Sequence, residues 1–537
     1  MNDPDAAAAT ATQTAAAGRV DLALVSHTNA GKTTLARTLL ARDVGEVRDA
    51  PHVTEFADEH LLVETAQGER LALWDTPGFG DTARLVHRLR RSDQPIGWFL
   101  SQVWDRFTNR AFWSTQQALR AVREHADVVL YLVNAAESPA AAGYVKPEME
   151  LLDWVGRPVV VLLNQLGAPR PAAEEAADVE RWRRHLAQLG PVRAVLPLDA
   201  FARCWVQEGA LLQAVQDVLE GPARTRMAAL RGAWLARRET QFDAAMAELA
   251  RSQARCVLAR QTLADAGRLR ESIRRLRTVL GGTRDAGHDP AALAQQALAA
   301  RLDEEVRHST AALVALHGLS GRAEGEILAR VAAHYETRKP VDEGRAAVLG
   351  GLLTGALAGL KADLVTGGLT LGGGLLAGGL LGALGAAGAA RAANLVRGVG
   401  SGWVGWTDEA LHAMTEAALL RYLAVAHFGR GRGDWAAGES PLHWRAVVTE
   451  ALAPRRADFA VQWAHARDLA DEPAGVQEGD DGMDDGAGDT EGNASADAGA
   501  SGATVGAALA QGLQPLLADA TRDALQRLYP DAYHRAA

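Results

Sequence analysis

Eight consecutive residues, Ser26-His27-Thr28-Asn29-Ala30-Gly31-Lys32-Thr33, constrain the fold more than any other stretch, because an apolar run (20–25) precedes them and a helix-forming run (34–40) follows. The order is strand, glycine-bearing loop, helix start. In such a loop the backbone N–H groups converge on an anion at the helix N-terminus. The Lys reaches the β- and γ-phosphates and the hydroxyl after it ligates Mg²⁺. The segment is therefore read as a nucleoside triphosphate site, with Ala30, Gly31, Lys32, Thr33 and Thr34 on the phosphates and Thr33 on the metal. The pattern asks for Gly where Ser26 stands, so here a residue with a Cβ makes the turn.

A second apolar run (71–74) ends in Asp75-Thr76-Pro77-Gly78. At the tip of this second strand, Asp75 would hold Mg²⁺ through water. The Gly78 N–H would meet the γ-phosphate and let the following segment move when that group leaves. The alternative is an ordinary turn at a strand end, which these residue types favour by themselves. The interval from the loop to Asp75 has room for a mobile segment and one strand (54–65), in which Thr54 is the candidate further Mg²⁺ ligand.

Asn29, three residues before the Lys, and the run from Asp75 to Phe79 resemble the Era-like and MnmE-like branch of translation-factor-related GTPases. Residues 19–220 follow the motif order of that G domain, and the layout beyond is similar to bacterial GTPases whose C-terminal half is a domain of unknown function. The resemblance implies an α/β P-loop G domain, a mostly parallel sheet with helices on both faces, that binds GTP and GDP and hydrolyses GTP with Mg²⁺. Lys32, Asn29, Thr54 and Gly78 become the catalytic set. Phe79 occupies the place where Ras-like relatives carry their water-orienting Gln. Asn29 matches the asparagine that coordinates K⁺ in cation-dependent members, or else it caps the loop through local hydrogen bonds.

Base recognition departs from that family. The apolar run 158–163 ends in Asn164-Gln165-Leu166-Gly167, where the family carries Asn-Lys-x-Asp. Gly167 cannot accept the guanine N1–H and amino protons that the missing carboxylate would take. Asn164 and Gln165 remain as base-side candidates. Ala200 fits the last backbone contact to guanine, with Asp199 beside it as a replacement carboxylate.

The rest of the chain carries less chemistry. Its 537 residues suit several domains, and two cysteines, Cys204 and Cys256, are too few for a disulfide framework or zinc site. A formal charge of −10 argues against a nucleic-acid partner. Residues 1–18 have neither a basic nor an apolar signal region and read as a disordered tail. The stretch 81–126 carries Trp98, Phe99, Trp104, Phe107, Phe112 and Trp113, which either form a homodimer or partner surface or pack two helices onto the sheet.

Residues 221–345 read as helical, with His308, His317 and His334 lacking ligand spacing. The segment 346–398 is a glycine-zipper hydrophobic hairpin. Its uncharged run 364–390 exceeds the roughly 20 residues that cross a bilayer, and Gly374, Gly378 and Gly382 recur every fourth position. Flanking basic residues suit membrane contact through 346–390 from the cytoplasmic side, at the inner membrane; burial inside a helical domain is the alternative. A helical continuation (399–470) with Trp435, Trp444 and Trp463 as core residues, an acidic disordered linker (471–502) and an amphipathic helix within 503–537 complete the chain. The expected protein is a cytoplasmic GTP-dependent switch, a G domain followed by an all-α domain with a Gly-rich hairpin. The competing classes are a nucleotide-holding membrane scaffold and an Era-like assembly factor.

Overall fold

A computed structural model describes residues 18–28, 30–40, 57–91, 93–102, 109–165, 172–198, 204–262, 290–319, 403–427, 443–471 and 491–536. These divide into two compact units, one within Met1–Gln241, Ala426–His443 and Leu525–Ala537, the other within Phe242–Val425 and Trp444–Ala524.

The first unit is built on a six-stranded sheet. Its elements in chain order are β1 (Arg19–Ser26), α1 (Lys32–Leu40), β2 (Asp58–Glu64), β3 (Arg70–Asp75), α2 (Thr82–Leu89), α3 (Pro95–Ser101), α4 (Arg110–Glu124), β4 (Val128–Asn134), α5 (Val145–Val155), β5 (Val159–Asn164), α6 (Ala172–Leu186), β6 (Val192–Pro197) and α7 (Trp205–Val218). The strand order is β2-β3-β1-β4-β5-β6, with β2 antiparallel to β3 and every other pair parallel. A parallel strand covered on both faces must be apolar throughout. In β1, Val20, Leu22, Ala23, Leu24 and Val25 are accordingly all fully buried.

Alternation along the strands assigns residues to two cores. Val129, Tyr131 and Val133 of β4 pack with α2, α4 and α5, whereas Val128, Leu130 and Leu132 pack with α1 and α7. The stretch 81–126 holds three helices, one more than expected. Phe99 and Phe112 are buried in the core of the first face, and Trp98 packs against it under the Arg88 guanidinium, 5.4 Å from the ring centre. Phe99 and Phe112 thus serve the fold rather than an exposed partner surface. Trp104 and Phe107 lie outside the described residues.

The remaining elements are mainly helical: α8 (Gly221–Leu258), α9 (Pro290–Leu316), α10 (Asp408–Ala426), α11 (His443–Leu452), α12 (Arg456–Asp471), α13 (Glu491–Leu528) and α14 (Pro530–Ala536). A short antiparallel ribbon, β7 (Arg260–Thr262) with β8 (Trp403–Gly405), departs from an all-helical second unit. The Arg260 guanidinium lies 4.3 Å from the Trp403 ring centre, a cation–π contact that ties the two short strands together. Phe242, Tyr422, Phe459 and Trp463 are fully buried in this unit, as are Leu513 and Leu517 of α13. Trp444 is also buried, and Trp435 lies outside the described residues.

Helix α13 begins at Glu491, inside the segment expected to be an acidic linker. Ala494, Ala496, Ala498 and Ala500 supply the helix propensity there. The glycine-rich segment 346–398 lies outside the described residues. Among those described, no helix is long and apolar enough to cross a membrane.

Candidate nucleotide site

Adjacent parallel strands deliver the first two motifs side by side. β1 and β3 pair in register, Leu24 opposite Asp75, so the loop after β1 and the turn after β3 emerge at the same sheet edge. The Phe79 N–H donates to the Ser26 carbonyl (2.9 Å) and the Thr28 N–H to the Phe79 carbonyl (3.2 Å), extending the parallel pairing beyond the strands. The Thr28 hydroxyl also donates to the Phe79 carbonyl, at 2.8 Å.

Lys32 opens α1 and is buried. Its ammonium donates to the Ser26 hydroxyl at 3.0 Å, and that hydroxyl donates to the His27 carbonyl at 2.5 Å. Ser26, the residue that breaks the loop pattern, thereby supplies the Lys with a polar partner. Burial pulls the ammonium below the usual lysine range, opposed by the charges of Asp75 and Glu148.

Thr33 and Asp75, the two described metal candidates, meet directly: the Thr33 hydroxyl donates to Asp75 Oδ2 at 2.6 Å. Burial raises the Asp75 carboxyl above its ordinary range, against the pull of Lys32 and the Thr33 hydrogen bond. Asp75 Oδ1 is buried and accepts no hydrogen bond from the described residues. An orphaned carboxylate oxygen beside a threonine hydroxyl is an oxygen donor set that suits Mg²⁺.

Gly78 lies against the loop so closely that a Cβ there would sit 3.1 Å from Thr28 Cα and 3.3 Å from Lys32 Nζ. Gly31 has φ +90°, and a Cβ there would fall 2.7 Å from Asn164 Nδ2. That amide donates to the Ala30 carbonyl at 2.8 Å, so the base-side motif braces the phosphate loop. Gln165 follows in the left-handed region (φ 57°), as does Asp81 (φ 46°) ahead of α2. They are the two such non-glycine residues among those described, Gln165 directly after Asn164 and Asp81 three residues after Gly78. Strain of this kind costs about 1–3 kcal/mol and persists where surrounding contacts enforce it.

The structure thus brings together Ala30, Gly31, Lys32, Thr33, Asp75, Gly78, Asn164 and Gln165, with Thr34 buried in the first turn of α1. Asn29, Thr54, Gly167, Asp199 and Ala200 lie outside the described residues. Sequence reasoning missed Glu148, a fully buried acid on α5. It takes hydrogen bonds from Tyr131 Oη (2.6 Å) and Thr82 Oγ1 (3.4 Å), and its Oε1 lies 2.6 Å from His27 Nδ1. The available signal was a charge at helical spacing between Val145 and Leu152, both core residues.

Burial raises the Glu148 carboxyl above its usual range, with His27 pulling the other way. A carboxyl raised on folding contributes stability that is fully present below its unfolded pKa and is lost as pH rises through the folded value. Glu148→Gln, neutral at every pH, lacks this loss. The melting temperature of the nucleotide-free variant should therefore gain on wild type as pH is raised from the ordinary carboxyl range towards neutrality and beyond. A difference that stays constant over that range contradicts the assignment.

Comparison with known proteins agrees with this geometry. Residues 21–165 match the family described as 50S ribosome-binding GTPase, and residues 341–485 match a domain of unknown function, DUF3482. GTPase Der of Deinococcus deserti is 27% identical over 164 residues, which are 30% of this chain and 29% of that protein. The chain thus matches less than a third of that relative's length. Among solved structures, Aquifex aeolicus Era bound to GDP and AlF4⁻ shows 18% identity and a TM-score of 0.25, covering 34% of this chain and 51% of that one. Era in complex with MgGDPNP and a segment of 16S ribosomal RNA shows 16% identity and a TM-score of 0.26, over the same shares. Loop, switch turn and bracing Asn all lie in the stretch that matches, so residues 21–165 carry a P-loop GTPase domain, and residues 341–485 match a domain of unknown function.

Proposed function

We propose that the chain binds GTP and hydrolyses it to GDP, and that loss of the γ-phosphate repositions the segment that begins at Gly78. The observation that carries this reading is the meeting of Thr33, Asp75 and Gly78 around the buried Lys32 ammonium. Lys32 binds the β- and γ-phosphate oxygens in place of the Ser26 hydroxyl. Thr33 and Asp75 hold Mg²⁺, which when bound neutralises phosphate charge. The Gly78 N–H meets the γ-phosphate, and Asn164 holds the loop in shape from the base side. Asn29 serves as the K⁺ or loop-bracing residue and Thr54 as the remaining Mg²⁺ ligand.

Phe79 is fully buried and carries no polar group, so it cannot orient the attacking water. This favours slow intrinsic hydrolysis. The acidic balance of the chain, −10, supports a reading without a nucleic-acid partner, unlike the Era complex. The glycine-rich run with its flanking arginines supports a site of action at the cytoplasmic face of a membrane. Deleting 346–390 should then release the chain from the membrane fraction with GTP binding retained, and unchanged partitioning would remove the membrane from the account.

Base selectivity tests the nucleotide assignment. With Gly167 in place of the guanine-reading Asp, GTP should be preferred over ATP by less than the roughly 10⁴-fold that a dedicated hydrogen-bonding pocket gives. Gly167→Asp should sharpen that preference at least tenfold, about 1.4 kcal/mol, in a competition titration. Wild-type discrimination of about 10⁴ or more would mean that another group, such as Asp199, supplies the carboxylate.

A further inference from the structure

Glu148 is an acid where the fold by itself calls for an apolar side chain. It sits on the core face of α5 with Val145, Met149 and Leu152, all buried. A buried carboxylate is costly unless each oxygen is partnered. Here the partners come from three elements: Tyr131 in β4 at Oε2, and His27 in the phosphate loop with Thr82, the first residue of α2, at Oε1.

His27 also stacks on Tyr144, ring centres 4.5 Å apart, and bridges to Phe79 in the extended pairing after β1 and β3. One carboxylate therefore touches both sides of the seam along which the phosphate loop and the switch turn are joined. Tyr131 anchors it to the central sheet.

We propose that Glu148 is a positioning residue of the nucleotide switch, holding the first turn of the phosphate loop and the start of α2 at a fixed mutual position through His27 and Thr82. Its functional meaning rests on the GTP reading above. When the switch segment leaves the loop, the Thr82 contact and the His27–Phe79 bridge part while the Tyr131 anchor stays.

The test uses amide hydrogen exchange of the full nucleotide-free chain, together with release of a pre-bound GTP analogue. His27→Ala alters a side chain that is 36% exposed, so the fold should hold, and Glu148→Leu replaces the acid by a core residue. In both variants the Thr28 and Phe79 amides should exchange at least tenfold faster, with β4 and β5 within threefold of wild type, and the analogue should leave at least tenfold faster. His27→Asn, which keeps a donor near the Nδ1 position, should restore both to within threefold. Exchange or release within threefold of wild type in His27→Ala overturns the proposal, whether or not Glu148→Leu folds. Faster exchange in a chain whose wild type binds no GTP would instead sink the GTP reading and leave the clamp standing.

Discussion

Lys32→Ala should weaken binding of a labelled GTP analogue at least tenfold, and about thirtyfold or more if it behaves like other buried charge partners. The ammonium is buried beside two carboxylates, Asp75 and Glu148, and a triphosphate adds further negative charge to the same place. Truncating one partner of a buried charge pair costs about 2–5 kcal/mol. The nucleotide-free variant loses the Ser26 hydrogen bond and leaves Asp75 and Glu148 without this cation, so its melting temperature is measured alongside and binding is scored on the folded fraction. Wild-type affinity in Lys32→Ala, measured by titration, would show that the phosphates lie elsewhere.

Gly31→Ala should damage the fold. Its φ of +90° is one that an L side chain rarely adopts, and the added Cβ would fall 2.7 Å from Asn164 Nδ2. Strain of about 1–3 kcal/mol combines with loss of the Asn164–Ala30 hydrogen bond, about 0.5–1.5 kcal/mol more. A loss of about 2–4 kcal/mol in unfolding free energy is expected, with nucleotide binding lost as the loop amides shift. Gly78→Ala meets its nearest atoms only at 3.1 Å, without a left-handed backbone, so it should cost less stability while still disturbing the switch. Equal denaturation midpoints for Gly31→Ala and wild type would contradict the brace.

The sequence pointed to the candidate residues whose chemistry is local, and the structure places those described side by side. Lys32 and Thr33 are legible because a strand, a tight loop and a helix start must occur in that order for backbone amides to converge. Asp75 and Gly78 are legible because an acid and a flexible residue stand at a strand tip. Asn164, a base-side candidate in the sequence, also reaches the Ala30 carbonyl with its amide.

Contacts made across the fold were not legible. Nothing near His27 in the chain announces Glu148, which is 121 residues away in sequence and reaches it only when α5 packs on the face that carries Tyr131. Of the three helices in 81–126, α3 and α4 carry the two aromatic pairs, whereas α2 was missed, because Leu85, Val86 and Leu89 give an apolar period too short to stand out. The β7–β8 ribbon joins residues 260–262 with 403–405, a pairing too short and too distant for strand alternation to register.

On this reading Lys32, Thr33, Asp75 and Gly78 form one Mg²⁺-dependent site that hydrolyses GTP. It is tested most directly by single-turnover hydrolysis of radiolabelled GTP with the full chain in excess, with Mg²⁺ and with a chelator. The account predicts slow but complete conversion to GDP with Mg²⁺ and at least a tenfold slower rate in the chelator. No conversion above the uncatalysed rate with Mg²⁺ present, in a chain that binds GTP, would contradict it and leave a nucleotide-holding scaffold in its place.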